Sequence, residues 1–157
     1  MTDPTHGDSG RGVRPRRLQA VEVDEVLEAD VPAHLAMVDA AGCPAIIPIW
    51  FLWDGSAFLM TSRRQRPHVA LIMANAAVAV CVDLEAAEQD DGQRPNRQVR
   101  GSGFAEVIPD DGGEVTRRIT QKYLRGPGAA RRAAVRAAQD RVVIRLAPER
   151  LVAVASA

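Results

Sequence analysis

"PAIIPIWFLWDGSAFLMTSRRQRPHVALIMANAAVAVCVDL", residues 44–84, decides the fold. It reads as a strand, a tight turn, a strand, a knot of arginines, a short helix and another strand. Residues 44–54 are rich in β-branched and aromatic side chains, which suit a pleated sheet surface. Gly55 and Ser56 supply the turn, and residues 57–62 form the next strand. From 66 to 74, Val69, Ile72 and Met73 recur at helical spacing. Pro67 suits a first helical turn and Asn75 a C-terminal cap. Residues 77–84 return to strand.

A half-buried strand alternates apolar and polar side chains. Residues 45–53 do not. Ile46, Pro48, Trp50 and Leu52 share one face; Ala45, Ile47, Ile49, Phe51 and Trp53 share the other. One face can line a barrel, while the other needs a helix, a second subunit or a flat ligand. Pro48 removes a backbone donor in mid-strand, which predicts an edge strand or an interruption.

Working outward, residues 1–17 are Gly, Pro and charge without periodicity and are expected to be a disordered tail. Residues 18–157 then form one domain. Residues 21–30 predict a short helix with Val21, Val26 and Leu27 inward. Residues 33–39 predict a strand that opens an antiparallel meander with the next two. After a polar loop (85–96) comes a fifth strand (97–109). There Gly101 and Gly103 alternate on one face, the mark of a bulge or of another surface coming close. Residues 112–126 predict an amphipathic helix with Val115, Ile119, Tyr123 and Leu124 inward. Residues 128–140 predict a second helix or ordered loop, and 141–157 a closing strand bent near Pro148. Six short strands without a βαβ rhythm predict a mainly β chain, an antiparallel barrel with helices attached.

The chain has 157 residues and a net charge of zero, so nothing draws it generally to nucleic acid or an anionic membrane. Any anion site must be local. No apolar run reaches bilayer length, and the first residues lack the apolar core of a secretory signal. Cys43 and Cys81 stand far apart, with no CxxC or HExxH motif, so no metal site is expected. A cytoplasmic protein with reduced thiols is the expectation. The basic residues are almost all arginine; Lys122 is the only lysine.

Thr61 and Ser62 end a strand just before a helix begins. A helix N-terminus offers free N–H groups and positive potential. Arg63, Arg64, Arg66 and His68 lie there too, and complete either a phosphate clamp or an ordinary solvated turn. His34 is expected to be a satisfied core histidine, Cys81 a small core residue, Cys43 an exposed turn thiol and Tyr123 a helix anchor. No acid–base constellation stands out, so no catalytic residue is assigned.

"LAMVDAAGCP" (35–44), "PIWF" (48–51), Thr61 with Ser62, the basic stretch 63–68, Asn75 and "VRGSGFAEV" (99–107) follow one another in a recognisable order. In this the chain, from about residue 30 to 157, resembles the pyridoxamine 5′-phosphate oxidase-like superfamily. The resemblance implies a six-stranded antiparallel split β-barrel that forms a homodimer, with two cofactor sites at the subunit interface. The implied cofactor is FMN or the deazaflavin coenzyme F-420. Its phosphate would meet Thr61, Ser62, Arg64, Arg66 and His68, and its ring would lie along Pro48, Ile49 and Trp50. The family's Arg-Lys pair before the helix falls here on Pro67 and His68, with Arg66 or Arg64 as stand-ins. Arg132 and Arg136, on one helix face, are either solvated or grip the acidic tail of a deazaflavin. The implied activity is a small flavin- or deazaflavin-dependent oxidoreductase moving a hydride between cofactor and a small unsaturated or quinone-like substrate. The alternatives are a non-catalytic binder of flavin, deazaflavin or haem, and an unliganded interaction domain.

Overall fold

The computed structural model describes residues 15–88 and 94–156; most of the expected tail and part of the 85–96 loop lie outside these. Among the described residues there are nine strands: β1 Arg16–Arg17, β2 Ala33–Val38, β3 Pro44–Ile49, β4 Phe51–Trp53, β5 Phe58–Arg63, β6 Ala77–Glu85, β7 Asn96–Pro109, β8 Arg141–Leu146 and β9 Arg150–Ser156. Four helices join them: α1 Ala20–Glu28, α2 Pro67–Ala74, α3 Glu114–Tyr123 and α4 Ala129–Ala137. Every strand pairing is antiparallel.

The strand order is β3-β2-β6-β7-β8-β5-β4, and the sheet does not close by hydrogen bonds. Its two ends, β3 and β4, are nevertheless neighbours in the chain, on either side of Trp50. The expected second strand is therefore two strands, and the expected closing strand is also two. β8 and β9 lie end to end along one edge of β7, β8 against Ala105–Pro109 and β9 against Asn96–Ser102. The break falls at residues 147–149, where Glu149 N–H still donates to the Ser102 carbonyl at 3.0 Å. Six predicted strands thus correspond to eight of the nine. The ninth is a correction: Arg16 and Arg17, assigned from sequence to the tail, pair with Ala155 and Val154.

Side-chain alternation explains most of the sheet. Along β2, Ala33, Leu35 and Met37 are buried while His34 faces outward. Along β6, Val78, Val80 and Val82 do the same. β5 is buried on both faces from Phe58 to Ser62. Phe58 and Met60 enter the main core, while Leu59 packs in a second cluster with Val143 and the half-buried Val115 of α3. Gly101 is where Phe58 comes close: a Cβ there would stand 2.9 Å from the Phe58 ring. Val26 and Leu27 of α1 and Val69 and Ile72 of α2 are buried. Val21 and Met73, expected inward, are exposed; the two helices each span about two turns, too short to bury a wider stripe.

Tyr123 fixes the bend at Trp50. The two rings stack with centroids 4.7 Å apart and planes 1° from parallel. The Tyr123 hydroxyl donates to the Val31 carbonyl (2.9 Å) and accepts from Phe51 N–H (3.3 Å). Burial pushes its pKa up to about 12, so it is an anchor rather than an acid near neutral pH. Tyr123→Phe keeps the stack and removes both bonds. It is expected to destabilise the fold by about 1–3 kcal/mol, read as a lower urea midpoint with unchanged slope.

Candidate functional site

The interruption at Trp50 opens a cleft of about 480 Å³ between the β3 end and the start of α2. That volume lies in the range of small-molecule sites. Pro32, Ile47, Pro48, Ile49 and Trp50 form one wall. Thr61, Ser62, Arg63, Arg66 and His68 form the floor and one end; Arg136, Gln139 and Arg141 close the other side. Seven of the eight residues singled out from sequence line it: Pro48, Ile49, Trp50, Thr61, Ser62, Arg66 and His68.

Arg64 is the exception. Its guanidinium binds the Asp140 carboxylate at 3.1 Å and its backbone N–H the Asp140 carbonyl at 3.2 Å. That ion pair draws it away from the cleft. Arg132 is exposed and does not line the cleft, whereas Arg136 does. His34 is also a correction: it lies on the outward face of β2, 3.7 Å from the Asp83 carboxylate, not in the core. Cys81 beside it is half-buried, and burial raises its thiol pKa.

Sequence reasoning missed Arg141, the best-fixed cation of the site. Only 8% exposed, it opens a strand whose neighbours Val142 to Ile144 are core residues. Its Nε donates to Thr116 Oγ1 (3.2 Å), and its Nη2 to the Thr61 carbonyl (3.0 Å) and Oγ1 (3.2 Å). Burial lowers its pKa to about 10, helped by the nearby charges of Arg136 and Arg63, yet it stays a cation at physiological pH. The register that makes it the cross-strand partner of Arg63 is what brings it here. An arginine at the head of an apolar strand was the available signal.

Arg63 Nε donates to Gln139 Oε1 at 3.0 Å. The Arg136 guanidinium lies over the Trp50 ring, 4.9 Å from its centroid, and its Nε is buried without a hydrogen-bond partner. His68 Nε2 lies 2.7 Å from Ser62 Oγ. Burial and the Arg66 charge hold His68 below its ordinary pKa of 6.5, so the ring is neutral at pH 7. Four arginines therefore line the cleft and no carboxylate does.

His68 carries a pH prediction. Its folded pKa is depressed, so the unfolded ring takes a proton more readily as pH falls below 6.5. Its contribution is fully present above that pH and is lost on going down through the folded value. In the free protein the His68 ring resonances should titrate below pH 6.5. A bound anion should move the midpoint upward, because it favours the charged ring.

The outward face of β3, β2, β6, β7 and β9 carries a second concavity of about 350 Å³, lined among others by Ile46, His34, Cys81, Arg100 and Val152. Ile46 and Phe104 nearby are 66% and 63% exposed. One cross-strand row runs Pro48, His34, Cys81, Arg100, Val152, so this face begins at the cleft wall. Lys122 lies outside both. Its ammonium sits 3.9 Å from the Phe51 ring centroid and donates to the Leu27 carbonyl at 2.9 Å, and burial lowers its pKa to about 8. Among the described residues no three His, Cys, Asp or Glu side chains gather to hold a metal ion. No helix there is long and apolar enough to cross a membrane.

Residues 20–155 match the family model described as pyridoxamine 5′-phosphate oxidase. Among solved structures, an F-420 reductase is similar, with 30% identity and a TM-score of 0.58 over 82% of this chain and 94% of that one. A FAD-binding protein from Mesorhizobium loti shares the fold at 21% identity and a TM-score of 0.64, over 91% and 99% of the two chains. A FAD and heme binding protein from Mycobacterium smegmatis does so at 20% identity and 0.66, over 90% and 73%. No curated protein matches the chain.

Proposed function

Because the chain belongs to the pyridoxamine 5′-phosphate oxidase family, we propose that its cleft binds a flavin or deazaflavin cofactor, FMN or coenzyme F-420, and that the loaded protein is a small oxidoreductase. The observation that carries this is the cleft itself: four arginines without a carboxylate, set beside an apolar wall and the start of a helix. A phosphate needs the first, and a flat ring system needs the second. The orphaned Nε of Arg136 fits the same account, since a buried donor without a partner is costly unless a ligand supplies one.

When bound, the cofactor supplies hydride chemistry. The chain's own residues bind, orient and exclude water. Arg66, with Ser62, Thr61 and His68, holds phosphate at the α2 end. Pro48 and Ile49 flank the ring. Trp50 is different from expectation in one respect: Tyr123 already stacks on it, so it stiffens the wall as well as facing the ligand. The substrate is a small unsaturated or quinone-like molecule. The cleft lining contains no paired acid and base, so no residue is assigned as proton donor.

The outward sheet face is where a second copy of the chain would dock. Ile46 and Phe104 are large, apolar and mostly exposed there, and the face runs into the cleft wall at Pro48. A partner on it would border each cofactor. Ile46→Glu is expected to shift the protein from dimer to monomer in light scattering and to weaken cofactor binding with it.

Titrating purified protein with FMN and, separately, with F-420, followed by fluorescence, tests the assignment. Saturation by one of them at one site per subunit supports it, and binding of neither ends it. A second function is sequestering a flavin, deazaflavin or haem without turnover, in keeping with the similar fold of the FAD and heme binding protein. Oxidation of reduced cofactor by added quinones separates the two.

A further inference from the structure

Lys122 is the only lysine of the chain, and it stands where an ammonium is costly. It lies near the end of α3, half-buried, 3.9 Å from the centre of the Phe51 ring and 5.2 Å from that of Tyr123. Among the described residues it makes one hydrogen bond, to the Leu27 carbonyl at 2.9 Å, and no ion pair. That carbonyl is one of the last four of α1, which the helix itself leaves unsatisfied. An ammonium has three donors, so two of its hydrogens have no acceptor there. Lys122 also lines a cavity of about 260 Å³, apart from the cofactor cleft, together with Asp24, Leu27, Glu28, Leu52 and Trp53. That volume suits a molecule smaller than a drug-sized ligand. A lysine that only tied α3 to α1 would need neither the cavity nor the two spare hydrogens.

We propose that Lys122 is a carbonyl-capture site, whose amine forms an imine with a small uncharged aldehyde held in this cavity. The neutral amine attacks the carbonyl carbon, and a C–N bond forms. The carbonyl oxygen then leaves as water with two of the three ammonium hydrogens, and a protonated C=N bond remains. The third hydrogen stays to bond the Leu27 carbonyl, and the positive charge stays over the Phe51 ring. The product therefore keeps both contacts that the ammonium makes. Burial supplies the reactivity: it lowers the Lys122 pKa to about 8, against the opposing charges of Asp30 and Glu28. Near neutral pH this leaves far more free amine than an exposed lysine has. Leu27, Leu52 and Trp53 suit an apolar tail, while Asp24 and Glu28 repel anionic carbonyl compounds.

The test treats the full chain near neutral pH with propionaldehyde and cyanoborohydride, which reduces the imine to a stable propylamine, and locates the label by peptide mass spectrometry. The terminal amine of the same chain is the reference. An ordinary terminal amine has nearly the same pKa, so the content of free amine cancels. Lys122 is expected to be labelled at least about ten-fold faster than the terminal amine, because the aldehyde is held beside it, and at a rate that saturates with propionaldehyde. With glyoxylate, an anionic aldehyde, that ratio is expected to fall several-fold. Equal rates at the two amines, an unlabelled Lys122, or a Lys122 rate that rises linearly with propionaldehyde would each overturn the capture site. A ratio as large with glyoxylate would overturn the assignment of an uncharged ligand.

Discussion

Gly113→Ala is expected to lower the melting temperature by roughly 10 °C, while Gly112→Ala, one residue earlier, lowers it by only a few degrees. Both glycines have positive φ, 73° and 67°, in the short 3-10 turn Asp111–Gly113 that leads into α3. An L side chain in that region costs about 1–2 kcal/mol at either position. The difference is space. A Cβ at Gly112 meets nothing within 4 Å. A Cβ at Gly113 would stand 2.5 Å from Ala137 Cβ and 2.6 Å from the Ala137 carbonyl. Relief requires α4 to move, and forced overpacking of this kind costs about 1–3 kcal/mol more. Because Arg136 is the next residue back, the same shift carries it off Trp50. Gly113→Ala is therefore also expected to change Trp fluorescence and to reduce cofactor affinity, whereas Gly112→Ala leaves both alone. Equal melting temperatures for the two variants would show that α4 does not pack against this turn as described.

The second large effect concerns binding. Replacing both Arg66 and His68 with alanine is expected to weaken a phosphorylated cofactor by about 100-fold, while the free protein loses only a few degrees in melting temperature, from the His68–Ser62 hydrogen bond. Arg66 is exposed and makes no side-chain hydrogen bond among the described residues, so its loss removes little from the folded state. Riboflavin, which has no phosphate, should bind the double variant and the wild type alike. The phosphate-dependent part should also shrink as salt is raised, because exposed charges are screened. An unchanged affinity for every phosphorylated cofactor would remove Arg66 and His68 from the site.

Much of this was legible from the amino-acid order, and the reasons differ by element. β2 and β6 announce themselves by alternation, and β3 by its uninterrupted apolar run. Pro48 correctly predicts an edge: β3 is one end of the sheet. The break at Trp50 was harder to see, because what causes it is Tyr123, which stacks there from a helix 73 positions later and bonds Phe51 across a separation of 72 residues. No local pattern records such a contact. The phosphate end of the cleft was readable because its residues are contiguous, 61 to 68. The other end was not. Arg141 reaches the site only through the pairing of β5 with β8, and Arg136 only because α4 leans on the Gly113 turn. Arg64 was misplaced for the same reason, since nothing near it in sequence reveals Asp140 as its partner. His34 was misjudged because its apolar neighbours point both ways on a sheet whose outer face carries Ala36 and Ile46.

The pairing of β5 with β8 also sets a timetable. Thr61 and Arg141, which share two hydrogen bonds, are 80 residues apart. While the chain is being made, the stretch through α2 can emerge with its hydroxyls and Arg66 in place and still have no second wall. That wall arrives only with β8, after the long detour through β6, β7, α3 and α4. Pairings of such separation form late and slowly. A nascent chain that has not yet reached β8 therefore has no competent cleft, so a ligand of the cleft is expected to bind after this pairing forms rather than to seed it. Cofactor added during refolding should raise the final stability by mass action without speeding the main folding phase.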